Sequence, residues 1–311
     1  MSNQDRVKRW IKPTIQRLNA YHVADAKGFI KLDAMENPYQ CSEEMQQQYL
    51  AELSTAQINR YPDPSLKELK RLIKQVLQIP DDLQLLFGNG SDEIIQIIIT
   101  AVAEPGRVIM APEPSFVMYK MLTELLGLTF VGVPLRDDFS LDEFAMIKAI
   151  EQYDPAVVFL AYPNNPTGNL FDSKVINTIL HTTNGLVVID EAYHIFSGVS
   201  YLDQIMSHEN LLVMRTLSKA GLAGLRFGFL VGPDHWLYEL DKVRLPYNIN
   251  SLTQTSMGFY LQHYDLLEQQ ADAIQSDRNV LFKQLNTMGS VDVRQSSANF
   301  LLFRCLAESA E

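Results

Sequence analysis

Between Leu186 and Gly232 the chain carries an acid that ends an apolar run (Asp190, with Tyr193 three residues later), a lysine in a turn of small residues (Ser218, Lys219, Ala220, Gly221) and an arginine just beyond it (Arg226). A charge at the end of an all-apolar strand is costly unless a cation meets it. A protonated ring nitrogen is one such cation, and a structural arginine is the plain alternative. Tyr193 is placed to aim its hydroxyl at the same ring. Lys219 has surroundings too cramped and apolar for a routine solvated amine. Desolvation and a neighbouring cation lower an amine's pKa, which lets it form and exchange imines near neutral pH. Arg226 can supply that cation while its planar fork suits a phosphate. An acid, a lysine and an arginine so arranged are what a pyridoxal phosphate site needs.

Three other loops follow strand-like stretches and add to this set. Gly88-Asn89-Gly90-Ser91-Asp92-Glu93 opens a helix, where glycines let the backbone approach an anion and free N–H groups face it. A capped strand-to-helix turn would have the same residues. Pro112-Glu113-Pro114-Ser115-Phe116 presents an aromatic able to lie flat on a planar ring, unless Phe116 is simply core. In Tyr162-Pro163-Asn164-Asn165-Pro166-Thr167-Gly168, two prolines after polar or aromatic residues stiffen the loop, and Asn165–Pro166 is the better candidate for a cis bond. An asparagine amide held there can donate to a phenolate oxygen; a turn with local Asx bonds is the alternative.

The elements that must position these loops alternate along the chain. Strand candidates are residues 84–87, 107–111, 128–133, 156–161, 186–190, 211–216 and 227–231, most of them apolar on both faces, as in strands covered by helices on each side. Helical periodicity falls at 92–102, 115–126, 141–152 and 173–183. This alternation predicts an α/β fold with a mostly parallel seven-stranded sheet between helices, and ligands in such sheets bind beyond the carboxyl ends of strands. Ser42 followed by Glu43 and Glu44 predicts a capped helix start, and Arg60-Tyr61-Pro62-Asp63-Pro64 a rigid turn before another helix. Residues 29–32 read as a short strand, 251–288 as one long helix, and 291–293 and 299–303 as short strands. The expected organisation is an arm and part of a small domain at 1–50, a large cofactor-binding domain at 51–246, and a linking helix with a small α+β domain at 247–311.

Composition bounds the function. In 311 residues the net charge is −11, which argues against a broad nucleic-acid-binding face. Cys41 and Cys305 have neither zinc nor redox spacing, so no metal is expected and a cytoplasmic compartment is the simplest expectation. The most apolar runs, such as Ile94 to Val102 with Gln96 and Thr100 inside it, are too short for a membrane helix.

Taken together the motifs resemble the fold-type I pyridoxal phosphate aminotransferases, and within them the histidinol-phosphate aminotransferases. The likeness runs in order through Leu32–Tyr39, Tyr61–Pro64, Gly88–Glu93, Asn164–Gly168, Asp190–Tyr193, Arg215–Arg226, Pro246–Asn248 and Ala298–Phe300. It implies that Lys219 is the Schiff-base and acid–base lysine, that Asp190 holds the pyridinium proton, and that Asn165 and Tyr193 bind the ring's phenolic oxygen while Phe116 stacks on its face. Gly90, Ser91, Asp92, Ser218 and Arg226 would surround the phosphate. Tyr61 would reach that phosphate from the second subunit of a homodimer. Tyr21, also from the partner chain, and Asn37 would lie near the substrate, together with Asn165. The implied reaction passes an amino group between L-histidinol phosphate and 2-oxoglutarate, giving imidazole-acetol phosphate and glutamate, in histidine biosynthesis.

Another pyridoxal phosphate enzyme of this fold, an aromatic aminotransferase or a phospho-amino-acid decarboxylase, is the nearest rival, and a cofactor-binding short form with impaired catalysis is the next. Family members usually continue past the position of Glu311 into a segment whose arginines bind substrate, and neither Arg294 nor Arg304 lies in a matching motif. The resemblance therefore implies an incomplete small domain, favouring a piece of an ordinary enzyme over a natural short form, with lower stability and weak turnover for these 311 residues.

Overall fold

A computed structural model describes residues 3–20, 25 and 27–306; Tyr21 lies outside the described residues. All seven predicted strands form one sheet: β1 (Gln84–Gly88), β2 (Val108–Glu113), β3 (Thr129–Pro134), β4 (Val157–Ala161), β5 (Leu186–Asp190), β6 (Leu211–Thr216) and β7 (Gly228–Gly232). Their order is β1-β7-β6-β5-β4-β2-β3. Only β7 is reversed, pairing antiparallel with β1 and β6, while the other pairings are parallel. The apolar runs make this sheet because every residue of β4, β5 and β6 is buried. Along β5, Val187 and Ile189 enter one core and Leu186 and Val188 the other, so each face needs a helical cover.

The helices are α1 (Asn3–Trp10), α2 (Pro13–Arg17), α3 (Glu43–Leu53), α4 (Lys67–Val76), α5 (Ser91–Ala101), α6 (Val117–Leu125), α7 (Glu143–Tyr153), α8 (Ser173–Thr182), α9 (His194–Ser197), α10 (Asp234–Asp241), α11 (Ser251–Gln262) and α12 (Tyr264–Asn286). The central one, α5, buries Ile94, Ile95, Ile97, Ile98 and Ile99, each worth roughly 1.5–3 kcal/mol by the area removed from water. The predicted cap at Ser42 is present, its hydroxyl accepting from Met45 N at 3.3 Å.

Three expectations change. Residues 29–32 form no strand: Phe29, Ile30 and Leu32 are exposed and no strand lies alongside to pair with them among the described residues. The long helix is two helices, because His263 (φ −119°, ψ 35°) leaves the helical region. The break lets α11 pack on α3 and α4 while α12 packs on α9 and on the small second sheet. That sheet pairs β8 (Val291–Val293) with β9 (Phe303–Cys305), so the second strand starts at Phe303 rather than Asn299. Residues 299–302 instead cross toward the site.

This topology places the motifs. Strands β1, β2, β4, β5 and β6 run in the same direction, so the loops that follow them open at one edge of the sheet. Arg226, just before the reversed β7, arrives at the same edge.

Candidate active site

Asp190 ends β5 with 4% of its surface exposed. Its Oδ2 accepts a 2.6 Å bond from the Tyr119 hydroxyl and its Oδ1 accepts from Ala192 N at 3.1 Å. The arginine that might have paired with it structurally is absent: Arg215 of β6 goes to the neighbouring Glu191 at 2.8 Å instead. Burial pushes the Asp190 carboxyl up to about 6, opposed by the Tyr119 hydrogen bond. A buried carboxylate with two neutral donors and no ion-pair partner among the described residues has an outstanding electrostatic need.

Lys219 lies in a single π-type turn, Ser218–Leu222, at the end of β6. Gly221 in this turn has φ +126°, and a Cβ on it would come 3.0 Å from Asn37 Nδ2. Glycine thus lets the Asn37 amide approach, which donates to Ala220 O at 3.0 Å and to Gln270 Oε1 at 2.9 Å. Lys219 Nζ donates to Ala34 O at 2.8 Å and stands 5.9 Å from the centre of the Tyr193 ring. Burial holds its pKa below the ordinary lysine value and Arg226 adds to this, against the carboxylates of Glu36, Asp92 and Asp190.

Asn165 Nδ2 donates to Tyr193 Oη at 3.2 Å, joining the two residues expected to share one oxygen. Both Tyr162–Pro163 and Asn165–Pro166 are cis, as is Glu113–Pro114. Asn164, fully buried, bonds Thr167 within its loop and reaches across to Ser115 Oγ and Pro114 O, tying the Phe116 loop to the Asn165 loop. Phe116 meets Tyr119 edge-on at 5.6 Å.

At the phosphate-like end, Gly90 has φ +79°, and a Cβ there would stand 2.7 Å from Arg226 Nη2. Arg226 Nη2 bonds Asp92 Oδ2 at 3.1 Å, so the Asp92 carboxylate tethers the guanidinium beside the start of α5. Ser218 is buried, its hydroxyl 2.9 Å from Thr216 Oγ1. Glu93 Oε2 braces the loop by accepting from Asn89 N and from Asn248 Nδ2, and Asn89 in turn donates to Asn248 O. Tyr61 is 82% exposed and stacks on Tyr247 at 4.6 Å, outside this grouping.

Sequence reasoning gave no role to Tyr119, Asn164 or the Glu191–Arg215 pair. Tyr119 had a signal: it follows Phe116 by one helical turn on an apolar face, and a buried tyrosine hydroxyl needs a partner. The Glu191–Arg215 pairing had none, since it depends on β5 and β6 being neighbours.

A seven-stranded sheet with one reversed strand, gathering a buried acid, a desolvated lysine and an arginine–glycine cradle at one edge, defines an enzyme of the fold-type I architecture. The profile described as aminotransferase class I and II matches residues 27–311, and the chain belongs to that family. It is 52% identical over 308 residues to histidinol-phosphate aminotransferase 2 of Nitrosococcus oceani, an alignment covering 99% of this chain and 86% of that protein. It is 46% identical over 303 residues to histidinol-phosphate aminotransferase 2 of Cupriavidus pinatubonensis, covering 96% and 83%. Among solved structures, the histidinol-phosphate aminotransferase of Sinorhizobium meliloti in complex with pyridoxal-5'-phosphate superposes with a TM-score of 0.84 at 22% identity, covering 95% of this chain and 82% of that one. The expected α/β fold and its mostly parallel seven-stranded sheet are borne out.

Proposed function

We propose that this aminotransferase moves the amino group of L-histidinol phosphate to 2-oxoglutarate, with pyridoxal 5'-phosphate as cofactor, as a cytoplasmic homodimer. The observation that carries the reading is Asp190: a buried carboxylate without an ion-pair partner among the described residues, on the same sheet edge as a desolvated lysine, fits a group that brings its own protonated ring nitrogen. The cradle made by Gly90, Ser91 and Arg226 fits its phosphate. The names of the relatives, at 52% and 46% identity, support the substrate.

Pyridoxal phosphate held there would supply a carbonyl for the amine and an electron-withdrawing ring. The protein's residues would do the rest. Asp190 would keep the ring nitrogen protonated. Asn165 and Tyr193, already hydrogen-bonded to each other, would orient the ring through its phenolic oxygen. Phe116 would stack on the ring. Lys219, with its proton affinity lowered by burial, is fit to carry a proton between two carbons. Its bond to Ala34 O is the contact it must release to do so. Asn37 is held beside the lysine turn at the substrate end. Tyr61, exposed on this chain, serves the partner's phosphate site. Residues 51–246 form the cofactor-binding domain, with 1–50 and 247–311 as the arm, the linking helix and the small domain, an organisation supported by Asn299 Nδ2 donating to Met35 O at 2.9 Å and by Phe300 meeting Tyr193 at 5.2 Å.

The test is spectroscopic and then chemical. Addition of pyridoxal phosphate is expected to give a band at the edge of the visible that Lys219→Ala abolishes, and histidinol phosphate with 2-oxoglutarate is expected to yield glutamate. Carbon dioxide released from an O-phospho-amino acid, with no glutamate formed from histidinol phosphate, would replace transfer by decarboxylation, and absence of any bound cofactor would end the reading.

A further inference from the structure

We propose that Tyr119 is a positioning residue for the cofactor ring, its phenol holding Asp190 as the ionised partner of the ring nitrogen and its edge seating Phe116 against the ring face. The inference rests on the cofactor reading above. Tyr119 is 1% exposed and lies flat on Phe159 of β4, with centres 4.7 Å apart and planes 7° from parallel. Stacking on a core strand leaves the phenol no freedom to swing, so its oxygen is fixed where Asp190 Oδ2 accepts it at 2.6 Å. The helix backbone is pinned at the same point, because Thr123 Oγ1 donates to Tyr119 O at 2.6 Å.

With Ala192 N on Oδ1, each carboxylate oxygen has one donor, and the plane of the group is set before any ligand arrives. Burial and the Asp190 charge push the Tyr119 phenol well above its ordinary range, so it donates and never competes for the proton. The charged or titratable groups facing Asp190 come from each neighbouring element. Asp92 of α5 and the adjacent Glu191 favour a protonated carboxyl, while Tyr193, which follows β5, and Lys219, in the turn after β6, also interact with its charge. Against burial and these two acids, the Tyr119 hydrogen bond is the strongest side-chain influence keeping Asp190 ionised. A charge-assisted bond of this length stabilises the anion far more than the neutral acid. Without it, the proton between Asp190 and the ring nitrogen moves toward Asp190, and the ring becomes a poorer electron sink. A purely structural hydrogen bond would have no such consequence.

The test compares wild type with Tyr119→Phe, which keeps the stacked ring and removes the hydroxyl. In the holoenzyme made with pyridoxal phosphate labelled with 15N in the ring, the nitrogen resonance is expected to move from the pyridinium position toward neutral pyridine. The turnover number is expected to fall roughly tenfold to a hundredfold, the range for a hydrogen bond to a charged group, with KM little changed. In the cofactor-free protein the side-chain 13C resonance of Asp190, assigned by its loss in Asp190→Asn, is expected to titrate about one pH unit higher. Should Tyr119→Phe not fold, 3-fluorotyrosine at position 119, a more acidic phenol, is expected to lower that midpoint. A folded variant in which neither the nitrogen resonance nor the carboxyl midpoint moves would overturn the inference. If wild type takes up no pyridoxal phosphate, the functional reading fails and the inference with it, whereas unmoved resonances in a cofactor-loaded protein overturn the inference alone.

Discussion

Before any ligand binds, Asp190 keeps its proton to about pH 6, whereas its ordinary value is 3.8. Because the folded value is the higher one, the stability this group contributes is complete below about pH 4 and is lost as the pH rises through 6. The difference amounts to about 3 kcal/mol, each pKa unit being worth 1.36 kcal/mol. Asp190→Asn removes the titration. Urea denaturation of the cofactor-free proteins at pH 7.5 is therefore expected to find the variant more stable than wild type by about that amount. At pH 4 the two should unfold at similar urea concentrations. Equal stability at both values would mean that Asp190 is solvated or paired in the native state. The same variant is expected to lose cofactor affinity, since the acid that destabilises the empty fold is the one that meets the ring nitrogen.

At the scale of elements, the site depends on β5 and β6 staying in register. Asp190 pairs with Met214 across the two strands, and beyond this point Glu191 and Arg215 form an ion pair whose side chains are 0% and 6% exposed. Ser200 Oγ bonds both partners and Tyr201 N donates to Glu191, so both members are held by further hydrogen bonds. It links the strand that carries Asp190 and Tyr193 to the one that leads to Ser218 and Lys219. Removing one member leaves a buried charge without a partner, which typically costs 3–5 kcal/mol, whereas replacing both by apolar residues of similar volume is often neutral. Arg215→Met is accordingly expected to lower stability by roughly 3–5 kcal/mol in urea unfolding, and Glu191→Leu combined with Arg215→Met to recover most of it. A double variant as unstable as the single would show that the pair and its hydrogen bonds themselves hold the two strands, rather than the cost lying in an orphaned charge.

At the scale of the molecule, Tyr61 is the residue whose place is not explained within one chain. It stacks on Tyr247, and both rings are exposed. In the proposed homodimer this surface meets the second subunit, and Tyr61 enters its phosphate site. Mixing inactive Lys219→Ala chains with Tyr61→Ala chains then creates hybrids with one intact site, because one chain brings the lysine and the other the tyrosine. Refolded mixtures are expected to regain about a quarter of wild-type turnover, with half of the dimers mixed and one of two sites intact in each. No recovery in a mixture that sedimentation shows to be hybrid would place Tyr61 in its own chain's function.

What the amino-acid sequence determined by itself was the chemistry and the layers. Apolar runs buried on two faces require helices on both sides, and each strand's loop was marked by prolines, glycines and polar residues that local backbone preferences explain. Lys219, Asp190 and Arg226 were legible for the same reason: a charge is conspicuous where its neighbours are apolar. The break at His263 and the start of β9 were not legible, because helical periodicity continues through Gln262 and Tyr264 and only packing on different partners separates the two helices. Nor could the chain order reveal that Tyr119 rather than an arginine would meet Asp190, 71 residues away, or that Arg215 would turn to Glu191. Those pairings were decided by the tertiary structure, since strand order sets which polar atoms are desolvated together, and a buried group must bond whatever the fold brings within its reach.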